Sequence, residues 1–417
     1  MNKRKILIVT DDFPPKSTGG ASIIAYNHAI GLLNLGYKVA VLTTVDRSEL
    51  VGDFIENDIR VHRLYSKYNQ RYRSYLSLYN FHLIYKIKSF LEKERFDIIH
   101  FHNIHYHISY HSIFLAKKYS RSVFITVHDS MPFHYNKLYP STISMNGSNA
   151  EDYKVSPIRQ FKYVKWEYNP IRNYLIKKYL RIPDKIFAVS YALKKALNDN
   201  GINNVEVIHN GIDINKWKID DNELNNFKNK FSLQNKKVIF FGGRLSRAKG
   251  GEILLEVMQS VIKDNLETLL LVVGNKDEYA DYMLVKARKM GIVDNIVFTG
   301  WIDNKDIKYA YSSSILTVVP SLCFDWFPTN ILESMACSRP VIATCFGGSK
   351  EMVSQDENGF ILDPRNRNEF VDKIKSLIDN PQKAVEFGNN GLNRIIKDFS
   401  IRQYIDKMNG WYNSFLK

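Results

Sequence analysis

Cysteine is scarce. The 417 residues hold three, Cys323, Cys337 and Cys345, all in one late segment. That excludes a disulfide framework, and the spacing fits no zinc site. The three read as small buried hydrophobes in a reducing compartment. Long apolar runs are missing as well. Ile6–Val9 is too short for the core of a signal peptide, and no stretch approaches the roughly 20 apolar residues that cross a bilayer. The chain is therefore expected to be cytoplasmic, at most peripheral on the inner membrane face. Finger, RNP-like and helix-turn-helix patterns are absent too, so nucleic acid is not expected as a partner.

What is there is positive charge, unevenly placed. Residues 1–210 carry 30 Lys and Arg against 17 Asp and Glu, and the remainder 28 against 26. A basic half beside a near-neutral half calls for an anionic partner on the first half. Two stretches in it, Tyr65–Arg95 and Arg159–Arg181, mix Tyr, Trp, Lys and Arg. That mixture suits an anionic membrane surface or a lipid-linked acceptor, and equally an ordinary amphipathic helix with a solvated basic face.

The length suggests two or three domains. Short runs of Ile, Val and Phe without alternation recur at Lys3–Thr10, Tyr37–Thr43, Phe96–Phe101, Val123–Val127, Lys185–Val189 and Val205–His209. Between the first two lies a helical pattern on Ile23, Ile24, Ile30 and Leu33, stopped by Gly36. After a polar, asparagine-rich stretch a second series begins, at Lys237–Phe241, Leu269–Val273, Asn295–Phe298, Ile315–Val319 and Pro340–Thr344. The pattern predicts an α/β chain of two doubly wound, Rossmann-like domains in tandem, with ligands at the carboxyl ends of the parallel strands of each. The last helix is rich in aromatics and is expected to dock on a surface.

Three segments carry candidate chemistry. Gly19 and Gly20 stand just before the first helix, where a backbone without Cβ atoms and a helix N-terminus could meet a phosphate, though such a pair is more often a plain turn. Arg244 and Lys249 project from the Gly-rich loop at 242–251, where they could hold a diphosphate or simply be solvated. Asp325 and Glu333 lie eight apart, with Glu333 near the start of a helix so that its carboxylate can reach back. Such a pair says little alone. The run from 320 to 344, PSLCFDWFPTNILESMACSRPVIAT, makes it specific. The five histidines between His100 and His111 invite a metal reading, but a strand end and helix without metal is the expected one.

This last run resembles the acid-x7-acid motif of the retaining family 4 glycosyltransferases ("glycosyl transferases group 1"), which have the GT-B fold. The order of PPKSTGG, FDIIHFHN, TVHD, KIFAVS, HNGID and GRLSRAKGG resembles that family over nearly the whole chain. The resemblance implies two Rossmann-like domains facing across a cleft. Residues 1–213 would form an acceptor-binding domain, joined by the C-terminal helix 399–417 docking back, and residues 214–398 a donor domain. It implies that Arg244 and Lys249 hold the donor pyrophosphate, and that the Gly19–Gly20 backbone approaches the donor. Glu333 would bind the ribose, while Asp325 and His128 lie near the transferred sugar. The backbone of Phe327, Thr329, Asn330 and Ile331 would contact sugar and phosphate. In that family the first acid is usually Glu, Gly is common where Ser338 stands, and many members have Gly in place of Pro328.

The expected activity is transfer of a sugar from a nucleotide-sugar donor, UDP-sugar before GDP-sugar, to a glycan or lipid-linked acceptor in surface polysaccharide or glycolipid synthesis. A nucleotide-sugar epimerase of the same fold and a catalytically silent sugar-binding relative are the alternatives. No cofactor or metal is expected, since two cations can stabilise the leaving diphosphate and no Asp-x-Asp triplet occurs. Residues 129–157 are expected to line the acceptor side.

Overall fold

The computed structural model describes residues 4–15, 19–140 and 153–416. The first expected helix begins at Gly20 and, as predicted, ends just before Gly36, whose φ of +88° suits a residue without Cβ. Its buried face is Ile24, Ala25, His28, Ala29 and Leu32. Ile23, Ile30 and Leu33 sit half-buried at the edge of that stripe. The inward face therefore includes a histidine, which hydrophobic spacing alone passes over.

The chain divides into two compact units, joined where it crosses at Gly211–Ile212 and returns at Ser400–Ile401. The strands of the first unit are β1 (Lys5–Val9), β2 (Lys38–Val45), β3 (Gly52–Glu56), β4 (Ile59–Tyr65), β5 (Phe96–Phe101), β6 (Ser120–Val127), β7 (Lys185–Ala188) and β8 (Val205–Val207). They form one sheet in the order β3-β4-β2-β1-β5-β6-β7-β8. All neighbours are parallel except β3 and β4. That antiparallel edge was not foreseen: β3 alternates exposed and half-buried residues and has no apolar run to betray it. Helix α1 (Gly20–Asn34) covers one face. The basic aromatic stretches fold into short amphipathic helices, including α2 (Phe81–Lys93), α3 (Pro157–Val164) and α4 (Arg172–Tyr179).

The second unit holds β9 (Lys237–Gly242), β10 (Thr268–Val273), β11 (Ile296–Gly300), β12 (Leu316–Val319), β13 (Val341–Thr344) and β14 (Gly359–Leu362), in the order β11-β10-β9-β12-β13-β14 and parallel throughout. Helix α5 (Gly251–Asp264) follows β9, and α6 (Thr329–Ala336) lies between β12 and β13. β10 and β12 are buried along their whole length. This is why their sequences run apolar without alternation.

The last helix, α7 (Ile401–Phe415), packs Tyr404, Ile405, Met408 and Tyr412 into the core of the first unit, against Ile6, Ile24, Ala29 and Phe187. The docking expected of this helix is thus present, and its aromatics are core residues. Each sheet reverses its strand order once, between β1 and β5 in the first unit and between β9 and β12 in the second. Loops leaving the carboxyl ends of such strands diverge and leave a crevice, so ligands bind there.

Candidate active site

In the second unit the two loops at the strand-order reversal are pinned together by backbone. Leu322 donates its N–H to the Ala248 carbonyl at 2.8 Å. Gly250 has φ +76°, and a Cβ there would lie 1.8 Å from the Pro320 carbonyl oxygen. Only glycine lets the basic loop sit this close to the acidic one. The result brings Lys249 onto Asp325, whose side chains form an ion pair. Ser321 Oγ lies 3.5 Å from the same carboxylate oxygen. Burial works against the Lys249 charge, but the Asp325 carboxylate more than offsets it and the ammonium pKa is raised. Arg244 stands exposed, near enough for its charge to act on Lys249. No carboxylate pairs with it among the described residues.

Asp325 is itself held from behind. Its carbonyl accepts the Gly348 N–H at 2.8 Å. A Cβ on Gly347, at φ +74°, would lie 2.2 Å from that carbonyl oxygen. The shorter side chain at this position is thus carried on a segment clamped to the turn after β13, and it reaches Lys249.

Helix α6 starts at the end of the same loop. Pro328 caps it without a side-chain hydrogen bond; Ile331 donates its N–H to the Pro328 carbonyl at 3.2 Å, which leaves the Thr329 and Asn330 N–H groups to a ligand or water. Phe327 and Ile331 are buried, so their side chains do not face a ligand. Thr329 and Asn330 are half-buried. Asn330 donates weakly from Nδ2 to the Gly242 carbonyl at 3.4 Å, while its Oδ1 is buried without a partner. Ser246 Oγ, in the basic loop, is likewise buried and unpaired. Two orphaned polar atoms beside two cations and a helix N-terminus make a site short of a polar ligand.

Glu333 lies one turn into α6, and its side chain leans back towards the helix start. It accepts the Tyr311 hydroxyl at 2.8 Å. Burial raises its pKa, against the hydrogen bonds from Tyr311 and Thr329. Tyr311 was not singled out from sequence, because its link to Glu333 exists only in the fold. Arg244, Lys249, Asp325, Phe327, Thr329, Asn330, Ile331 and Glu333 therefore all lie on the two loops and the helix at one strand-order reversal.

Gly19, Gly20 and His128 belong to the first unit. Gly19 is the extended cap of α1 and Gly20 its first residue. Residues 16–18 and 141–152 lie outside the described residues, and with them parts of the loop before α1 and of the expected acceptor segment. His128 follows β6 and is half-buried. Its Nε2 lies 2.9 Å from His102 Nδ1. Burial, and next the charge of Lys137, push its pKa down to about 3, so the ring is neutral. Sequence reasoning passed over Asp11, just beyond β1. Its carboxylate accepts N–H groups from Tyr106, His107 and Ile108 at 2.7, 2.9 and 2.7 Å, tying the loops after β1 and β5 together. Its place at the carboxyl end of the first strand was the available signal. His28, His100 and His102 are buried, with ligand atoms within 4.8 Å of one another. The three cysteines are free thiols, and burial pushes Cys323 and Cys337 up to about 12, which leaves them unreactive.

Two doubly wound units in tandem, the second with a cationic loop and a helix N-terminus at its strand-order reversal, define the GT-B class of glycosyltransferase fold. Sucrose-phosphate synthase from Thermosynechococcus elongatus has the same fold, with TM-score 0.76 and 18% identity over 99% of both chains. So does Anabaena HepE in complex with UDP-glucose, at TM-score 0.72 and 18% identity, covering 98% of this chain and 99% of that one. Residues 222–394 match the family model "Glycosyl transferases group 1" and residues 18–216 match "Glycosyltransferase Family 4". The chain belongs to this glycosyltransferase family. An uncharacterized glycosyltransferase of Methanocaldococcus jannaschii is 25% identical over 96% of this chain and 91% of its own. The capsular polysaccharide biosynthesis glycosyltransferase CapM of Staphylococcus aureus is 26% identical over 56% of this chain and 62% of its own.

Proposed function

We propose that this glycosyltransferase takes its sugar from a nucleotide-sugar, a UDP-sugar before a GDP-sugar. It transfers the sugar with retention, without a metal, to a glycan or lipid-linked acceptor in surface polysaccharide or glycolipid synthesis. The observation that carries the reading is the convergence of Arg244, Lys249 and the open N-terminus of α6 around unpaired Asn330 and Ser246 oxygens. Cleaving an anomeric carbon–phosphate bond leaves negative charge on the diphosphate, and fixed cations with N–H donors stabilise that charge as it develops. Lys249, its pKa raised, is charged throughout the physiological range. In this reading Glu333, steadied by Tyr311, accepts ribose hydroxyls, and Asp325 orients the sugar. The complex of Anabaena HepE with UDP-glucose and the capsule role in the name of CapM support the choice of donor and pathway.

The acceptor side rests on the first unit. Its basic stretches leave aromatic side chains in solvent, with Tyr85 77% and Trp166 97% exposed. The two stretches adjoin: Asn169 donates to the Ser74 carbonyl at 3.1 Å, and His111 touches both Tyr79 and Tyr179. Exposed aromatics among lysines suit an anionic membrane surface. Flotation with acidic liposomes should therefore fall on raising salt, which screens charges beyond about 10 Å at 0.1 M. It should fall again in Trp166→Ala. Binding indifferent to both removes the membrane from the proposal.

The deciding experiment is a thermal-shift series with UDP, GDP and their sugar conjugates, each with chelator and with magnesium or manganese. A donor at 100 times its Kd adds about 2.7 kcal/mol of stability. A shift that survives chelator, followed by product of retained anomeric configuration, is the expected result. A shift only with metal overturns metal independence. Turnover that leaves the nucleotide attached to an altered sugar replaces transfer with epimerisation, and no shift with any conjugate favours a silent relative.

A further inference from the structure

His128 is one end of a buried chain of hydrogen bonds that finishes on the C-terminal helix. His128 Nε2 meets His102 Nδ1 at 2.9 Å, and His102 Nε2 meets His28 Nδ1 at 3.1 Å. His28 Nε2 meets the Tyr412 hydroxyl at 3.1 Å, and the same hydroxyl meets His100 Nδ1 at 2.7 Å. His100 Nε2 ends the chain on Thr126 Oγ1 at 2.8 Å. His28, His100, His102 and Tyr412 are fully or almost fully buried. Every ring nitrogen of the three inner histidines is used. Among the described residues His128 Nδ1 has no partner.

A neutral imidazole carries one N–H and one lone pair. A chain of them can run its hydrogen bonds only in one direction or the other, all together. Burial holds these rings neutral, since His28 and His128 are pushed down to about 3 and His100 and His102 well below the ordinary range. Direction is set where a hydroxyl with a single proton sits between two rings. O–H donors make shorter bonds than N–H donors. The short and long contacts on the one hydroxyl that lies between two rings, 2.7 Å against 3.1 Å, favour Tyr412 donating to His100 and His28 donating to Tyr412, and His100 Nε2 then donates to Thr126 Oγ1 across 2.8 Å. His102 must then donate to His28, and His128 to His102. His128 is left with a bare lone pair on Nδ1.

We propose that Tyr412 is a positioning residue for His128, setting through His28 and His102 the tautomer in which His128 Nδ1 accepts a hydrogen bond from a sugar or acceptor hydroxyl. The proposal rests on the transferase reading for the identity of that hydroxyl, but not for the tautomer. The C-terminal helix thereby does more than fill the core: it selects whether the first unit presents an acceptor or a donor to its ligand.

The test reads histidine tautomers by long-range 15N–1H correlation in 15N-histidine-labelled full-length protein, with no donor present. The wild type should show His128 protonated on Nε2 alone. Tyr412→Phe removes the hydroxyl and should turn His128 into a tautomer mixture, with kcat falling roughly tenfold at unchanged donor KM. Thr126→Val deprives His100 Nε2–H of its acceptor and should push the chain the opposite way, towards Nδ1–H on His128. Tyr404→Phe is the control: its hydroxyl is buried on the same helix but unpaired. It should change neither tautomer nor kcat. An unchanged His128 tautomer in both Tyr412→Phe and Thr126→Val overturns the proposal. So does a stoichiometric bound metal that shifts the His28, His100 and His102 signals together, which would make the cluster a metal site. Tautomer control in a protein with no transferase activity would instead leave this proposal standing and remove the transferase reading.

Discussion

At Lys249 a single ammonium meets a carboxylate on one side and open loop on the other. Asp325 holds it in place before a donor arrives, and Arg244 stands exposed beside it. Removing one preorganised cationic donor from a site where a diphosphate leaves should cost about 100- to 1,000-fold in kcat. We expect losses of that size in both Lys249→Ala and Arg244→Ala, with thermal unfolding little changed in Arg244→Ala because that side chain is exposed. Near-normal turnover in both variants would remove the diphosphate assignment. Ser338 gives a second prediction. It has φ +53° just past the C-terminus of α6, the left-handed position where glycine costs nothing. The family commonly has glycine there, and this chain carries the strain of a Cβ. Ser338→Gly should stabilise the protein by about 1 kcal/mol, read by urea denaturation. A loss of stability would contradict the left-handed assignment.

At the scale of elements, the site is an arrangement of loops that glycines allow to touch. Gly250 lets the loop after β9 press on the Pro320 carbonyl, and Gly347 does the same for Asp325. Gly250→Ala combines a left-handed conformation with a backbone collision. It should destabilise by roughly 2 kcal/mol or more and reduce activity beyond that, because Lys249 is next to it. Gly410→Ala, inside α7 with open space around it, should do the reverse and add roughly 0.5–1 kcal/mol. Similar stability changes in the two variants would show that helix and loop glycines are not doing different jobs.

Taken over the whole molecule, the buried histidines should govern acid stability. His28, His100, His102 and His128 stay neutral in the folded state well below 6.5, while in the unfolded chain they protonate near 6.5. The unfolded state therefore binds more protons below that pH. Their contribution is fully present above 6.5 and is lost as pH falls towards 3, by up to about 1.4 kcal/mol per pH unit for each ring. Asp11 acts the other way. Burial raises it from 3.8 to about 7, so the folded state holds a proton the unfolded state has released, and its contribution falls as pH rises between those values. One such group offsets one histidine and leaves the rest. Stability to denaturant should drop steeply between pH 6.5 and 5, and a flat profile over that range would contradict a neutral, buried cluster.

The α/β class, the parallel strands and the loop carrying Arg244 and Lys249 were legible in the chain, because buried strands read as apolar runs and ligand loops follow them. Glu333 was legible too, since its place in the first turns of a helix dictates which way it leans. Contacts between residues far apart in sequence were not. Tyr311 on Glu333, Asp11 on residues 106–108, and the edge strand β3 depend on partners that no local pattern names. The histidines between His100 and His111 suggested a strand end and a helix. Folding joined two of them, His100 and His102, to His28 and Tyr412 from opposite ends of the chain. Composition and periodicity determine which surfaces must be buried, while the direction of a hydrogen-bonded chain is decided only when tertiary packing brings its members within 3 Å or so of one another.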